Sequence, residues 1–176
     1  MYKKYIKRIL DIIISLILIV SLIPLFIIMA LITKIEFNGK VIYKQKRIGL
    51  NEKEFIMYKF KTMNDGTKRT TKISKKIRKI GFDELPQLFN VLKGDMSLIG
   101  PRPFIVGDEL PSKYNKLRHT VRPGITGYAQ IKGRENFTHK EKLECDDEYI
   151  KNISFILDFR VLIDTFIYIF KKIFNC

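Results

Sequence analysis

The sequence predicts a mostly helical α+β fold: an apolar N-terminal membrane segment, a small β-hairpin, and amphipathic helices around a compact domain. Three observations carry this reading. Ile12 to Ile32 contains no charged residue. Two stretches rich in β-branched and aromatic residues flank the turn sequence Gly49-Leu50-Asn51-Glu52. Apolar side chains recur at helical spacing through the later segments, above all towards the carboxy terminus. The 176 residues suit one domain behind the apolar segment, with boundaries at 1–36 and 37–176.

As a helix, the apolar run would extend about 30 Å, enough to cross a bilayer. It is too long for a signal peptide, and no small-residue cleavage site follows it. Two features argue against a plain span. Both flanks are basic: Lys3, Lys4, Lys7 and Arg8 before it, Lys34, Lys40, Lys44, Lys46 and Arg47 after it. A spanning helix prefers asymmetric flanks. Pro24 also sits just past the middle, where it removes a backbone donor and its ring clashes with the Val20 carbonyl. Two topologies follow, a re-entrant segment that returns to the face it entered and a kinked spanning helix.

In the hairpin, Val41 to Ile48 and Phe55 to Met63 form the strands and carry Lys44, Lys46, Arg47, Lys59 and Lys61. That basic surface suits either plain solvation or contact with phosphates and lipid headgroups. Lys68 to Lys79, with Ile73, Ile77 and Ile80 at helical spacing, reads as a short helix ending near Gly81. Asp83 then looks like an N-cap, with Pro86 in the first turn and Leu85, Leu88, Phe89 and Leu92 as the apolar stripe. An acidic pair at a helix start, Asp83-Glu84, is ordinarily a capping feature.

From Gly94 onward, glycine and proline pin the backbone in turns, and arginines recur there: Arg102 in Gly100-Pro101-Arg102-Pro103, Arg122 before Pro123-Gly124, and Arg134 after Gly133. Rigid loops that present guanidiniums suit bidentate phosphate binding. At the carboxy terminus, Ser154, Asp158, Thr165 and Lys172 share one arc of a helical wheel, widened by Arg160, Asp164 and Lys171. Phe155, Ile156, Phe159, Leu162, Ile163, Phe166, Ile167, Ile169, Phe170 and Phe174 fill most of the remainder. This is an amphipathic helix, fitting either an interfacial position or a core packing.

Lys and Arg total 33 against 18 acids, a formal charge of +15, which points to polyanionic partners. The cysteines, Cys145 and Cys176, have no metal-ligand spacing and read as free thiols. His119 and His139 also lack ligand spacing. There is no G-x-G-x-x-G, Walker loop, G-x-S-x-G or H-E-x-x-H motif. No alternation of bases and aromatics suggests a nucleic-acid platform, so no nucleic-acid partner is expected.

The residues resemble the bacterial sugar transferases, the monotopic phosphoglycosyl transferases. The match runs from Lys7-Arg8-Ile9-Leu10-Asp11 through Gln45-Lys46-Arg47-Ile48-Gly49 and Tyr58-Lys59-Phe60-Lys61-Thr62-Met63. It continues from Asp83-Glu84-Leu85-Pro86-Gln87 to Gly100-Pro101-Arg102-Pro103, then Val121-Arg122-Pro123-Gly124-Ile125-Thr126-Gly127 and Gly133-Arg134. The resemblance implies a re-entrant N-terminal helix broken at Pro24 and a catalytic domain on the cytosolic face of the bacterial inner membrane. It implies transfer of a sugar 1-phosphate from a UDP-sugar to undecaprenyl or another polyprenyl phosphate, with release of UMP. It makes Asp83 the covalent nucleophile, Glu84 its partner and both the holders of a Mg²⁺ ion. Arg78 and Arg102 are implied at phosphate, with Lys59, Arg122 and Arg134 as further candidates. Anionic membrane lipids and downstream glycosyl transferases are the implied partners. Ile23 stands where the family commonly has serine before the proline. A basic, non-catalytic membrane module is the rival reading, and it leaves the Asp83-Glu84 pair unexplained.

Overall fold

A computed structural model describes residues 1–64, 70–107, 117–133 and 137–174. The apolar segment forms two helices, α1 (Lys7–Ser21) and α2 (Ile23–Glu36), bent by 66° at Leu22. The break falls two residues before Pro24. The proline sits in the first turn of α2, where its missing N–H costs no intrahelical bond. No single helix among the described residues is long and apolar enough to cross a membrane.

The hairpin forms where expected, with its second strand ending at Phe60, short of Met63. β1 (Ile42–Ile48) pairs antiparallel with β2 (Glu54–Phe60), Tyr43 facing Lys59 and Arg47 facing Phe55. Asn51 and Glu52 take positive φ in the connection, which turns the chain tightly. The next helix, α3 (Lys72–Ile80), is capped by the Thr71 hydroxyl and ends at Gly81, whose φ of 96° is accessible to glycine at little cost. Residues 68 and 69 of the helix expected over Lys68–Lys79 lie outside the described residues.

Asp83 is not an N-cap. It is the middle residue of a short 3-10 turn, Phe82–Glu84, and α4 (Gln87–Lys93) begins only after Pro86. Gly81 ends α3 in the left-handed region, and the Glu84 N–H donates to the Gly81 carbonyl at 3.0 Å, so residues 82–84 wind tightly before α4 opens.

β3 (Ser97–Ile99) and β4 (Gly124–Thr126) form a short parallel pair. Here the glycines are required by close approach. A Cβ on Gly124 would collide with the Gly100 nitrogen and the Thr126 carbonyl, and one on Gly127 with the Gly100 carbonyl. Three helices complete the chain: α5 (Tyr128–Lys132), α6 (His139–Lys151) with a full capping box at Thr138 and Glu141, and α7 (Phe155–Phe174).

The core gathers Met57, Leu88, Val91, Met96, Ile99, Tyr149 and Val161. A second cluster, Met29, Phe60 and Ile77, packs α2 onto the hairpin and α3. The bent pair α1–α2 is therefore part of the packed structure. Asp11 of α1 accepts from the Leu98 N–H at 3.0 Å, and Arg8 donates to the Val91 and Leu92 carbonyls at 2.6 and 3.0 Å.

The carboxy-terminal helix is amphipathic; Asp158 and Thr165 of its polar arc turn inward, while Arg160 and Lys171 are exposed. Asp158 is buried and accepts from the Tyr2 hydroxyl at 2.6 Å, the Lys7 ammonium at 2.7 Å and the Tyr149 hydroxyl at 2.7 Å. Thr165 bonds Thr126 at 2.8 Å. The outward arc is apolar: Phe155, Ile156, Phe159, Phe166, Ile167 and Phe170 are all exposed.

Candidate active site

The hairpin and the turn before α4 meet through Asn90, which is fully buried. Its amide donates to the Ile56 carbonyl at 2.7 Å and its carbonyl accepts from the Tyr58 N–H at 3.0 Å. These bonds hold β2 against α4 and bring Lys59 to Glu84, 25 residues away in sequence. The Lys59 ammonium lies 2.6 Å from Glu84 Oε1. Arg102 reaches the same oxygen at 3.0 Å, from the loop that follows β3. That loop is pinned where the Gly100 N–H donates to the Thr126 carbonyl at 2.9 Å and the Gly124 N–H donates to the Pro101 carbonyl at 3.0 Å.

The two carboxylates are thus held differently. Burial alone would raise the Glu84 pKa, but Arg102 and Lys59 override it and hold the carboxyl at about 2. Both cations bind Oε1, and neither contact involves Oε2. Asp83 is buried, and among the described residues no side chain hydrogen-bonds to it. Desolvation and the Glu84 charge push its pKa up, Lys59 and Arg78 pull it back, and it settles at about 6. It is mostly ionised at neutral pH.

Asp83 opens into a cleft of about 510 Å³. Lys59, Lys61, Arg47, Arg78 and Arg102 line it, so the surroundings of the carboxylate are strongly positive. Arg78 rests on the Met63 sulfur at the rim. Of the residues expected from sequence, Asp83, Glu84, Lys59, Arg78 and Arg102 come together here. Arg122 does not. Its Nε donates to the Gly94 carbonyl at 2.9 Å, and it lines a separate basic cavity with Lys3, Lys4 and Arg8. Arg134 lies outside the described residues. Arg47 and Lys61, expected from sequence only as part of the basic hairpin surface, belong to the cleft as well. The signal for them was strand alternation: Tyr43, Gln45 and Arg47 share one face of β1 with Lys59 across the hairpin, and Lys61 continues that face.

Among the described residues no group of three or more His, Cys, Asp or Glu side chains gathers to hold a metal. The Asp83-Glu84 pair offers two adjacent carboxylates, one without a side-chain partner and one with Oε2 outside both cation contacts. That donor set suits a Mg²⁺ ion, which takes one or two protein carboxylates and completes its shell with water and substrate phosphates.

Residues 2–172 match the bacterial sugar transferase family, and the chain belongs to it. Among curated relatives, it is 46% identical over 143 residues to the uncharacterized sugar transferase EpsL of Bacillus subtilis, covering 74% of this chain and 70% of that protein. It is 40% identical to the UDP-N-acetylgalactosamine-undecaprenyl-phosphate N-acetylgalactosaminephosphotransferase of Aeromonas hydrophila, over 92% of this chain and 43% of that one. It is 37% identical to the UDP-glucose:undecaprenyl-phosphate glucose-1-phosphate transferase of Klebsiella pneumoniae, over 96% of this chain and 40% of that one. The chain thus spans less than half the length of the second and third relatives.

Proposed function

We propose that this chain transfers a sugar 1-phosphate from a UDP-sugar to a polyprenyl phosphate, releasing UMP, with Asp83 as the covalent nucleophile. The observation that carries the reading is the asymmetry of the acidic pair. Glu84 is neutralised by two cations, while Asp83 keeps an unshared carboxylate facing a cleft lined by Lys59, Arg78 and Arg102. The named activities of the Aeromonas and Klebsiella relatives supply the substrate class.

In the first step an Asp83 oxygen bonds to the phosphorus that bears the sugar. The bond from that phosphorus to the bridging oxygen breaks, and UMP leaves with the bridging oxygen. In the second step an oxygen of the polyprenyl phosphate attacks the same phosphorus, the bond to Asp83 breaks, and the carboxylate is restored. The chain's task is electrostatic, because an anion must approach a diphosphate. Lys59, Arg78 and Arg102 offset that repulsion. The Lys59 and Arg102 contacts keep Glu84 from adding its full charge. A Mg²⁺ ion held by Asp83 and Glu84 would neutralise further charge on the diphosphate.

Packing supports one-sided membrane attachment. Arg8 and Asp11 near the start of α1 and Met29 and Glu36 in α2 are all tied to the same domain: Arg8 to α4, Asp11 to β3, and Glu36 to Thr71 and Ser74 at 2.7 and 2.6 Å. These ties favour a re-entrant pair, with both ends on one side of the bilayer, over a broken span. Each arm is about 21 Å long, and if the arms are set symmetrically, half of the 66° bend inclines each about 33° to the surface. The vertex then reaches about 12 Å, short of the middle of a hydrocarbon core about 30 Å thick. The exposed apolar arc of α7 would lie in the same interface. This reading places the chain on the inner face of the bacterial cytoplasmic membrane, where the acceptor's phosphate sits at headgroup depth.

The test is a nucleotide-release assay in nanodiscs containing undecaprenyl phosphate, run across a panel of UDP-sugars. UMP is the expected product; UDP would mean ordinary glycosyl transfer and overturn the proposal. Asp83→Asn should abolish release, and substantial surviving turnover would remove Asp83 as nucleophile.

A further inference from the structure

Beside the Asp83 cleft lies a second cavity, of about 600 Å³, within the range of small-molecule sites. Arg47 and Arg102 line both, so the two spaces adjoin across a pair of guanidiniums. A UDP-sugar whose diphosphate lies between Arg102 and Asp83 extends in two directions, towards a nucleoside and towards a sugar. We infer that the second cavity takes the pyrimidine nucleoside of the donor, an assignment that rests on the function proposed above.

The first support is an aromatic floor fixed to the phosphate loop. The Phe104 ring carries His139 stacked at 5.7 Å and 24°, and the Arg118 guanidinium carbon lies 3.5 Å from its centroid. Arg118 is buried, ion-paired to Asp146 at 3.1 Å, and donates to the Arg102 carbonyl. The floor and the phosphate-facing arginine are therefore one unit. His139 is exposed and offers a ring for a base to stack on.

The second support is the pattern of donors and acceptors. The pairing edge of uracil reads carbonyl, N–H, carbonyl, and its complement is an acceptor set among donors. His139 and Lys142 bring donors to the wall, while the Arg47 and Arg118 guanidiniums there already bond the Pro103 carbonyl and Gln45, and Asp146 and the Arg102 carbonyl. Of the acceptors there, Asp146 is already taken by Arg118. Gln130 Oε1 is buried and has no hydrogen-bond partner, a deficit that a ligand N–H would remove after a small side-chain rotation. A sugar ring brings several hydroxyl donors, and this wall offers few acceptors for them. The sugar is left to the Asp83 cleft, near Tyr43, Gln45 and Thr62.

The test uses the full chain in nanodiscs and reads UMP affinity directly, by calorimetry, alongside KM for the UDP-sugar. His139→Ala on α6 and Gln130→Leu on α5 should each weaken UMP binding about tenfold and raise KM in step, the loss expected for one good contact. AMP should not compete. Thermal shift identifies a variant that has misfolded, and the variant on the other helix then decides. Unchanged UMP affinity in the folded variants would overturn the inference. So would equal competition by AMP. A changed preference among UDP-sugars with UMP affinity intact would put the sugar in this cavity instead. Failure of the underlying function looks different: UMP binds and the variants weaken it, yet the unaltered protein releases UMP from no UDP-sugar.

Discussion

Lowering the pH should switch off the first half-reaction well above the range of an ordinary aspartate. Burial and the Glu84 charge, opposed by Lys59 and Arg78, raise Asp83 from 3.8 to about 6, a bias of roughly 3 kcal/mol against its charged form. The attacking species is the carboxylate, so the sign is fixed: activity is present above the raised pKa and lost as pH falls through it. Without a bound Mg²⁺ about 90% of Asp83 is ionised at pH 7 and about 10% at pH 5, and an ion held by Asp83 and Glu84 would shift that titration lower, so at limiting Mg²⁺ kcat/KM for the UDP-sugar should fall about tenfold by pH 5. An aspartate at 3.8 would stay more than about 90% charged there. The assay is UMP release in nanodiscs from pH 8 to 4.5. In this two-step scheme kcat/KM for the donor reports the free enzyme and the donor, whose diphosphate does not titrate near 6. Glu84→Gln removes the second of the two causes and should move the acid limb to lower pH. A profile flat down to pH 4.5, or an unmoved limb in Glu84→Gln, would refute the reasoning.

Three further outcomes follow from the packing. Gly124→Ala drives a methyl group into the Gly100 backbone and should cost about 1–3 kcal/mol or more, read as a lower Tm; an unchanged Tm would mean that the β3–β4 contact is looser than described. Asp158→Ala leaves the Lys7 ammonium and the Tyr2 and Tyr149 hydroxyls without their shared acceptor. It should cost about 3–5 kcal/mol and free the N-terminal turn to protease, and a loss under about 1 kcal/mol would count against α7 as the clasp of the N-terminal turn. Thiol probes at Lys3 and Asn38 should react with an impermeant reagent from one side of a sealed vesicle only, the same side for both; opposite sides would establish a span.

Local chemistry made much of this fold legible. Turn residues between alternating strands set the hairpin, charge and proline broke the apolar segment, and periodicity marked α7. The dyad itself was recognisable only through the long string from Asp83 to Pro103, since two acids after a glycine look like a cap. What sequence does not carry is contact across distance. Lys59 and Arg102 lie 25 and 18 residues from Glu84, and nothing local indicates that both would land on one oxygen. The β3–β4 pair is three residues a side, too short for any periodicity to register. The inward turn of Asp158 in α7 was hidden from sequence, because two of its three partners, Tyr2 and Lys7, come from the opposite end of the chain. The N-cap expectation for Asp83 failed because Gly81 and Pro86 together insert a 3-10 turn ahead of α4.

The central claim is that the Asp83 carboxylate becomes bonded to the sugar's phosphate. Intact-protein mass spectrometry, on samples acid-quenched milliseconds after mixing with UDP-sugar and no lipid acceptor, reads this directly. The account predicts a mass gain of one sugar phosphate, mapped to the peptide carrying Asp83, absent from Asp83→Asn and discharged when polyprenyl phosphate is added. Turnover to UMP and lipid-linked sugar with no such adduct, or an adduct on another residue, would contradict it.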